Sequence, residues 1–150
     1  MNETERKAAF RECPILADFL STALQDLQYQ EADNACEDGR EARDSGTIYD
    51  CPDSVFETAR RICDAFMRDC ADDIAAALGL EPGEPGLEYS RGRYVTHERL
   101  GGTFYLASVG HGVTFTDDGN AECLQRLSDY ARRVNWEGLY FGDDGKVYSL

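Results

Sequence analysis

The triplet Gly110-His111-Gly112 comes closest in the sequence to residues that could do catalytic chemistry. An imidazole can take up and release protons near neutral pH, and the glycines allow a sharp turn or the close approach of a ligand. A general base needs a carboxylate to orient its ring, and Asp117 or Asp118 could do this if the chain folds back. A tight turn with an incidental histidine is the simpler interpretation, and we favour it.

Motifs for a metal, a cofactor or a nucleophile are missing. The six cysteines show no C-x-x-C spacing, and the Asp-Asp-Gly runs at 117–119 and 143–145 are typical of turns, not of calcium loops. The sequence has no glycine-rich phosphate loop, no nucleophile elbow and no zinc-protease motif. We therefore expect no metal, no cofactor and no enzymatic activity, and cysteines that pack as free thiols.

Acidic residues dominate the composition. The formal net charge is −14, from 29 acidic residues against 15 lysines and arginines. This charge disfavours direct binding to nucleic acid or to an anionic membrane and favours association with a basic surface. The charged N-terminus and the lack of a long apolar run predict a cytoplasmic protein without a signal peptide or a membrane span.

Two groups of acids could form a binding surface. The stretch 31–53 holds eight acidic residues against two arginines, while Asp69 and Asp73 lie at i,i+4 on a predicted helix. Carboxylates at this spacing are about 6 Å apart along the helix axis, similar to successive phosphates of DNA, so a row of them can imitate a duplex. A solvated helix face is the ordinary interpretation. The candidate partner-binding residues are Glu37, Asp38, Glu41, Asp44, Asp69, Asp72, Asp73 and His111.

Helical periodicity covers much of the first half of the chain. Apolar residues recur at three- and four-residue steps from Glu3 to Tyr29, and Pro14 divides this stretch into a short helix and a second one. From Glu31 to Asp53 the periodicity stops, which predicts a long acidic loop that is either functional or mobile. A capping box at Ser54–Glu57 then predicts one helix as far as Leu78.

The second half changes to the alternation typical of strands, after a turn-rich connector at 81–86. The predicted elements are strands at 103–108 and 113–116, a helix from about Asn120 to Val134, and strands at 139–141 and 146–148. We predict a single acidic α+β domain over residues 1–150. Its N-terminal helices pack on a small antiparallel sheet, and its C-terminal order is β-β-α-β-β.

Several short motifs lie close together in the last third of the chain. They are Gly102-Thr103-Phe104-Tyr105-Leu106, Gly110-His111-Gly112, Phe115-Thr116-Asp117 and the run from Leu139 to Tyr148, with Leu124, Leu127 and Ala131 between them. This block resembles a family of small acidic bacteriophage proteins with no assigned activity. The chain departs from the family's pattern at four positions, where Val109 replaces an asparagine, Thr114 a glycine, and Tyr105 and Thr116 tryptophans. The resemblance implies a phage or prophage origin.

Charge and resemblance together predict a phage accessory protein that acts by binding. The expected partner is a host protein with a basic surface, such as a nucleic-acid-binding component of a restriction or CRISPR system, in the host cytoplasm. Two alternatives stay open. One is a small enzyme that uses His111 with Asp117 or Asp118, and the other is a homodimeric regulatory or structural phage protein that pairs through a sheet edge.

Overall fold

The N-terminal segment folds as two helices that meet at a proline, as its apolar spacing predicts. The computed structural model describes residues 1–79 and 85–149. Helix α1 spans Glu3–Glu12 and begins with a capping box, in which the Asn2 side chain accepts from the Glu5 amide and the Glu5 side chain accepts from the Asn2 amide. Helix α2 spans Leu16–Asp38 and begins two residues after Pro14, with Ile15 at its N-cap.

Helix α2 runs well beyond the stretch with apolar periodicity. The predicted loop from Glu31 to Asp53 is therefore wrong as far as Asp38, where α2 ends. Gly39 terminates the helix with φ of 68°, a left-handed conformation that glycine adopts without steric cost. The last turns of α2 stay helical because Glu31 and Ala35 are buried there and supply contacts that a polar sequence pattern does not reveal.

The helix predicted from Ser54 to Leu78 is present as two helices. Helix α3 spans Asp53–Asp69 and α4 spans Ala71–Leu78, with non-helical backbone at Cys70 between them. The predicted capping box is wrong, because Pro52 occupies the N-cap position and Ser54 already lies inside the first turn. The connector predicted at 81–86 lies outside the described residues except for its last two positions.

The first predicted hairpin is wrong, because its leading strand belongs to a helix. Helix α5 spans His97–Ser108 and is capped by the Thr96 side chain, which accepts from the Arg99 amide. Gly101 lets this helix lie directly on α2: a Cβ at that position would come within 2.5 Å of the Ile15 carbonyl oxygen. Gly101 therefore marks a close crossing of α5 with the start of α2.

The remaining elements complete a mostly helical α+β fold. They are hairpin β1 Glu88–Ser90 with β2 Arg93–Tyr94, a 3-10 turn at Phe115–Asp118, α6 Glu122–Arg132, and hairpin β3 Leu139–Phe141 with β4 Val147–Ser149. The last predicted helix and the last predicted hairpin are confirmed. The predicted β-β-α-β-β order is not the one observed, since α5 and the 3-10 turn stand where its first two strands were expected.

The core lies where α2, α3, α5 and α6 meet. Phe66 and Phe104 stack there with ring centroids 3.9 Å apart, and Phe19 packs on Phe104 and on Trp136. Five of the six cysteines are buried and all six are free thiols, with Cys36 on α2 as the exposed one. In the part of the chain that the structure describes, no helix is both long and apolar enough to cross a membrane.

Candidate partner-binding surface

The end of α2 and the segment that follows it carry a group of exposed carboxylates, which we call the acidic end. It consists of Asp33, Glu37, Asp38, Glu41 and Asp44. Asp33 and Glu37 lie at i,i+4 and therefore face the same side of the helix. The negative end of the α2 macrodipole adds to their field.

A buried glutamate organises this region. The Glu31 side chain is only 1% exposed, and its carboxylate accepts from Arg43 Nε at 2.6 Å and from an Arg40 guanidinium nitrogen at 2.7 Å. The hydrogen bonds from Arg43 and then Arg40 lower the pKa of Glu31 to about 2. The glutamate therefore stays ionised and engages both arginines of the acidic stretch.

Further contacts fix the segment after α2 against the body of the protein. The Gln28 side chain accepts from the Ser45 amide and donates to the Arg43 carbonyl oxygen. The Arg43 guanidinium lies 4.6 Å from the centroid of the Phe141 ring on β3. The acidic stretch is therefore held at both sides by side chains from α2 and from the second hairpin.

The acids of the acidic end are left largely without cations. Asp38 lies 3.5 Å from Arg40, which is already bonded to Glu31. Within residues 1–79 and 85–149, Asp33, Glu37, Glu41 and Asp44 make no ion pair, although Asp44 accepts from the Gly46 amide. The structure therefore brings together four of the predicted partner-binding residues, Glu37, Asp38, Glu41 and Asp44, and adds Asp33.

Two of the three acids in the second predicted group, Asp69 and Asp73, are bonded to side chains of the protein itself. Asp69 accepts from the Tyr130 hydroxyl at 2.9 Å and from Arg68 at 3.1 Å. Asp73 is bonded to Arg126, also at 2.9 Å, and its side chain is only 20% exposed. Asp72 is exposed between them. Asp69 and Asp73 therefore link the end of α3 and α4 to α6, which leaves only Asp72 of the three without an ion pair in the described residues.

His111, the remaining predicted site residue, lies on an exposed turn just after α5. Its Nε2 atom is 2.8 Å from Asp26 Oδ2 on α2. The same oxygen accepts from the Tyr105 hydroxyl at 2.6 Å and from the Gln30 side chain at 3.1 Å. Burial, together with the hydrogen bond to Asp26, raises the pKa of Tyr105 well above its ordinary value, so this phenol stays protonated.

The carboxylates proposed to orient His111 are engaged elsewhere. Asp117 accepts from the Thr114 amide at the start of the 3-10 turn, and Asp118 forms a two-fold hydrogen-bonded pair with Arg99. The pairing of His111 with Asp117 or Asp118 is therefore wrong. Sequence reasoning missed Asp26 because 85 residues separate it from His111 and because only the crossing of α2 and α5 brings them together.

No group of three or more histidine, cysteine or acidic side chains in the described part of the chain could hold a metal ion. In comparisons with known proteins, no family model, no curated protein and no solved structure matches the chain. The bacteriophage resemblance therefore stays a prediction from the sequence.

Proposed function

We propose that this protein acts by binding a partner protein with a basic surface, and that the acidic end is the part that docks. The proposal rests on the way in which charged side chains are arranged around Glu31. A buried carboxylate holds the two nearby arginines, and the surface acids beside them keep their charge exposed. Such an arrangement attracts a cationic partner at long range.

The spacing of these acids supports a partner that normally binds nucleic acid. Asp33 and Glu37 lie one helical turn apart, about 6 Å along the axis, which is similar to the distance between successive phosphates. Asp38 at the last position of the helix, and Glu41 and Asp44 after it, continue the acidic group. With the resemblance to small acidic phage proteins, this favours an inhibitor of a host restriction or CRISPR protein that occupies its DNA-binding surface.

The test begins with capture and continues with one purified partner. The full chain is used to capture proteins from a host lysate at low salt, and the retained proteins are identified by mass spectrometry. We expect a nucleic-acid-binding protein among them. With that protein purified, affinity should fall steeply between about 0.1 M and 1 M salt, as the Debye length shrinks from about 10 Å to about 3 Å.

Charge reversal then locates the docking surface. Replacing Asp33 and Glu37 by lysine should weaken binding at least about tenfold, chiefly through slower association. The matched control replaces Glu57 and Glu137 by lysine, which changes the net charge by the same amount on exposed positions elsewhere. Double-stranded DNA should compete with the wild-type chain for the partner.

Three results would contradict the proposal. Equal loss of affinity in both double variants would mean that only the net charge matters. Binding that is indifferent to salt would remove electrostatics as its basis. A partner bound simultaneously by the chain and by DNA would rule out occupation of a DNA-binding surface.

A further inference from the structure

A cleft between α3 and the end of α6 is lined by basic side chains, although the protein as a whole is acidic. It has a volume of about 680 Å³, within the roughly 300–1,000 Å³ typical of small-molecule sites. Its lining consists of Arg61, Ile62, Ala65, Arg68, Tyr130, Arg133, Val134 and Asn135. Three of these residues are arginines and none is acidic, in a chain of net charge −14.

The arginines approach the cleft from two helices. Arg61 and Arg68 lie two turns apart on the same side of α3, about 10 Å along its axis, with the small residue Ala65 between them. Arg133 follows the last turn of α6 on the other wall. Within the described residues Arg61 and Arg133 make no ion pair, so their guanidinium groups are available to an incoming anion.

The third arginine and one wall are held in position. Asp69 accepts from both Arg68 and the Tyr130 hydroxyl, and this carboxylate therefore ties the α3 side of the cleft to the α6 side. Burial and the bond to Asp69 raise the pKa of Tyr130 to about 12, so the phenol remains a neutral donor at physiological pH. A wall fixed in this way loses little conformational freedom when a ligand binds.

The floor differs chemically from the rim. Ile62 is buried beneath the cleft, and Ala65 and Val134 add further apolar surface. Asn135 contributes an amide that can donate to or accept from a polar ligand group. A ligand that fits both parts has a compact anionic group for the guanidiniums and a body with apolar surface for the floor.

We propose that this cleft binds a small organic phosphate of the nucleotide class, with the phosphate between the arginines and the base on the apolar floor. Guanidinium groups match phosphate oxygens through paired hydrogen bonds, which a carboxylate-rich surface elsewhere on the chain cannot provide. The proposal concerns a different face from the acidic end and does not depend on the function proposed above.

Adenosine monophosphate, adenosine and inorganic phosphate are the probes. Each is titrated into the full chain at constant ionic strength and followed by calorimetry and by amide chemical shifts. We expect saturable binding of the nucleotide, weaker binding of inorganic phosphate, and weakest binding of the nucleoside. The shift changes should be centred on Ala65, Tyr130, Val134 and Asn135.

Two double variants separate the cleft from overall charge. Replacing Arg61 and Arg133 by glutamine should weaken nucleotide binding by about tenfold or more, because two charge-assisted contacts are lost. Replacing the exposed Arg11 and Arg91 by glutamine makes the same charge change away from the cleft and should leave binding unaltered. A circular dichroism melt shows that both variants are folded.

The proposal is overturned by any of several results. These are no saturable binding of the nucleotide, equal binding by both double variants, a nucleoside that binds as well as the nucleotide, and shift changes centred outside the cleft. Equal affinity for inorganic phosphate and for the nucleotide would also refute the assignment to an organic phosphate.

Discussion

The acidic end and the pair Asp69 and Asp73 are both rich in carboxylates, yet they have opposite electrostatic outcomes. Asp69 accepts from Arg68 and from the Tyr130 hydroxyl. Asp73 is paired with Arg126. At the acidic end the nearby arginines are bonded to the buried Glu31 and not to the surface acids, apart from a 3.5 Å contact of Arg40 with Asp38. The position of the cations, more than the number of acids, therefore decides which surface keeps its charge.

A single buried residue, Glu31, influences the charge of the nearby surface by binding its two arginines. An ionised carboxylate in the interior is tolerated only with cationic partners, and here those partners come from the surface segment itself. The stability of the 39–50 segment and the exposed negative charge of the acidic end therefore have a common origin in Glu31.

The largest expected effect comes from replacing Glu31 by glutamine. The change leaves two arginines without their carboxylate, so the melting temperature should fall by several degrees and the amides of residues 40–46 should exchange faster with solvent. Glu37→Gln is the matched control, since it is the same substitution on the same helix at an exposed position. If the two variants melt together, Glu31 does not organise this region.

The pH dependence of stability provides a second test of the role of Glu31. The pKa of Glu31 is lowered from 4.5 to about 2 in the folded protein, so its contribution to stability is complete above pH 4.5. The contribution declines as the pH falls from 4.5 and is lost below about 2. Urea unfolding at several pH values should show a steeper acid loss for the wild type than for Glu31→Gln. Parallel curves for the two proteins would contradict this assignment.

A smaller effect on stability is expected at Asp73, which is paired with Arg126. Asp73→Asn removes a contact with Arg126, whose side chain is 59% exposed, and should lower the melting temperature by no more than about 2–4 °C. Raising the salt concentration should shrink this difference, because it screens the pair in the wild type. A loss as large as that of Glu31→Gln would mean that the two acidic regions do not differ as described.

The smallest effect is expected at His111. Its imidazole is 40% exposed, and Asp26 keeps its hydrogen bonds from Tyr105 and Gln30 when the ring is removed. His111→Ala should therefore change the free energy of unfolding by about 0.5 kcal/mol or less and leave partner binding intact. Loss of binding or of an activity in this variant, with an unchanged melting curve, would restore His111 as a functional residue.

Local sequence signals predicted the elements that depend on local chemistry. Pro14 marked the boundary between the first two helices, and the apolar spacing around Leu124 and Leu127 marked α6. The final hairpin was evident from strand-forming residues on both sides of Gly142 to Gly145. In each case the residues that specify the element lie within it or immediately beside it.

The errors arose where a distant contact decides the structure. The run from Thr103 to Ser108 alternates like a strand, but its packing on α2 through Gly101 makes it helical. The continuation of α2 past Glu31 depends on Arg40 and Arg43, which lie beyond the helix end. Asp26 could not be paired with His111 before that same crossing was known. The acidic composition of the surface was predictable, while its division into a compensated and an uncompensated part was not.

The single exposed thiol provides a site for chemical labelling at the acidic end. Cys36 precedes Glu37 on α2, and the other five cysteines are buried. A maleimide dye applied to the folded wild-type protein should therefore attach beside the proposed docking surface without any engineered cysteine. Its emission or anisotropy would then report the arrival of a partner in real time.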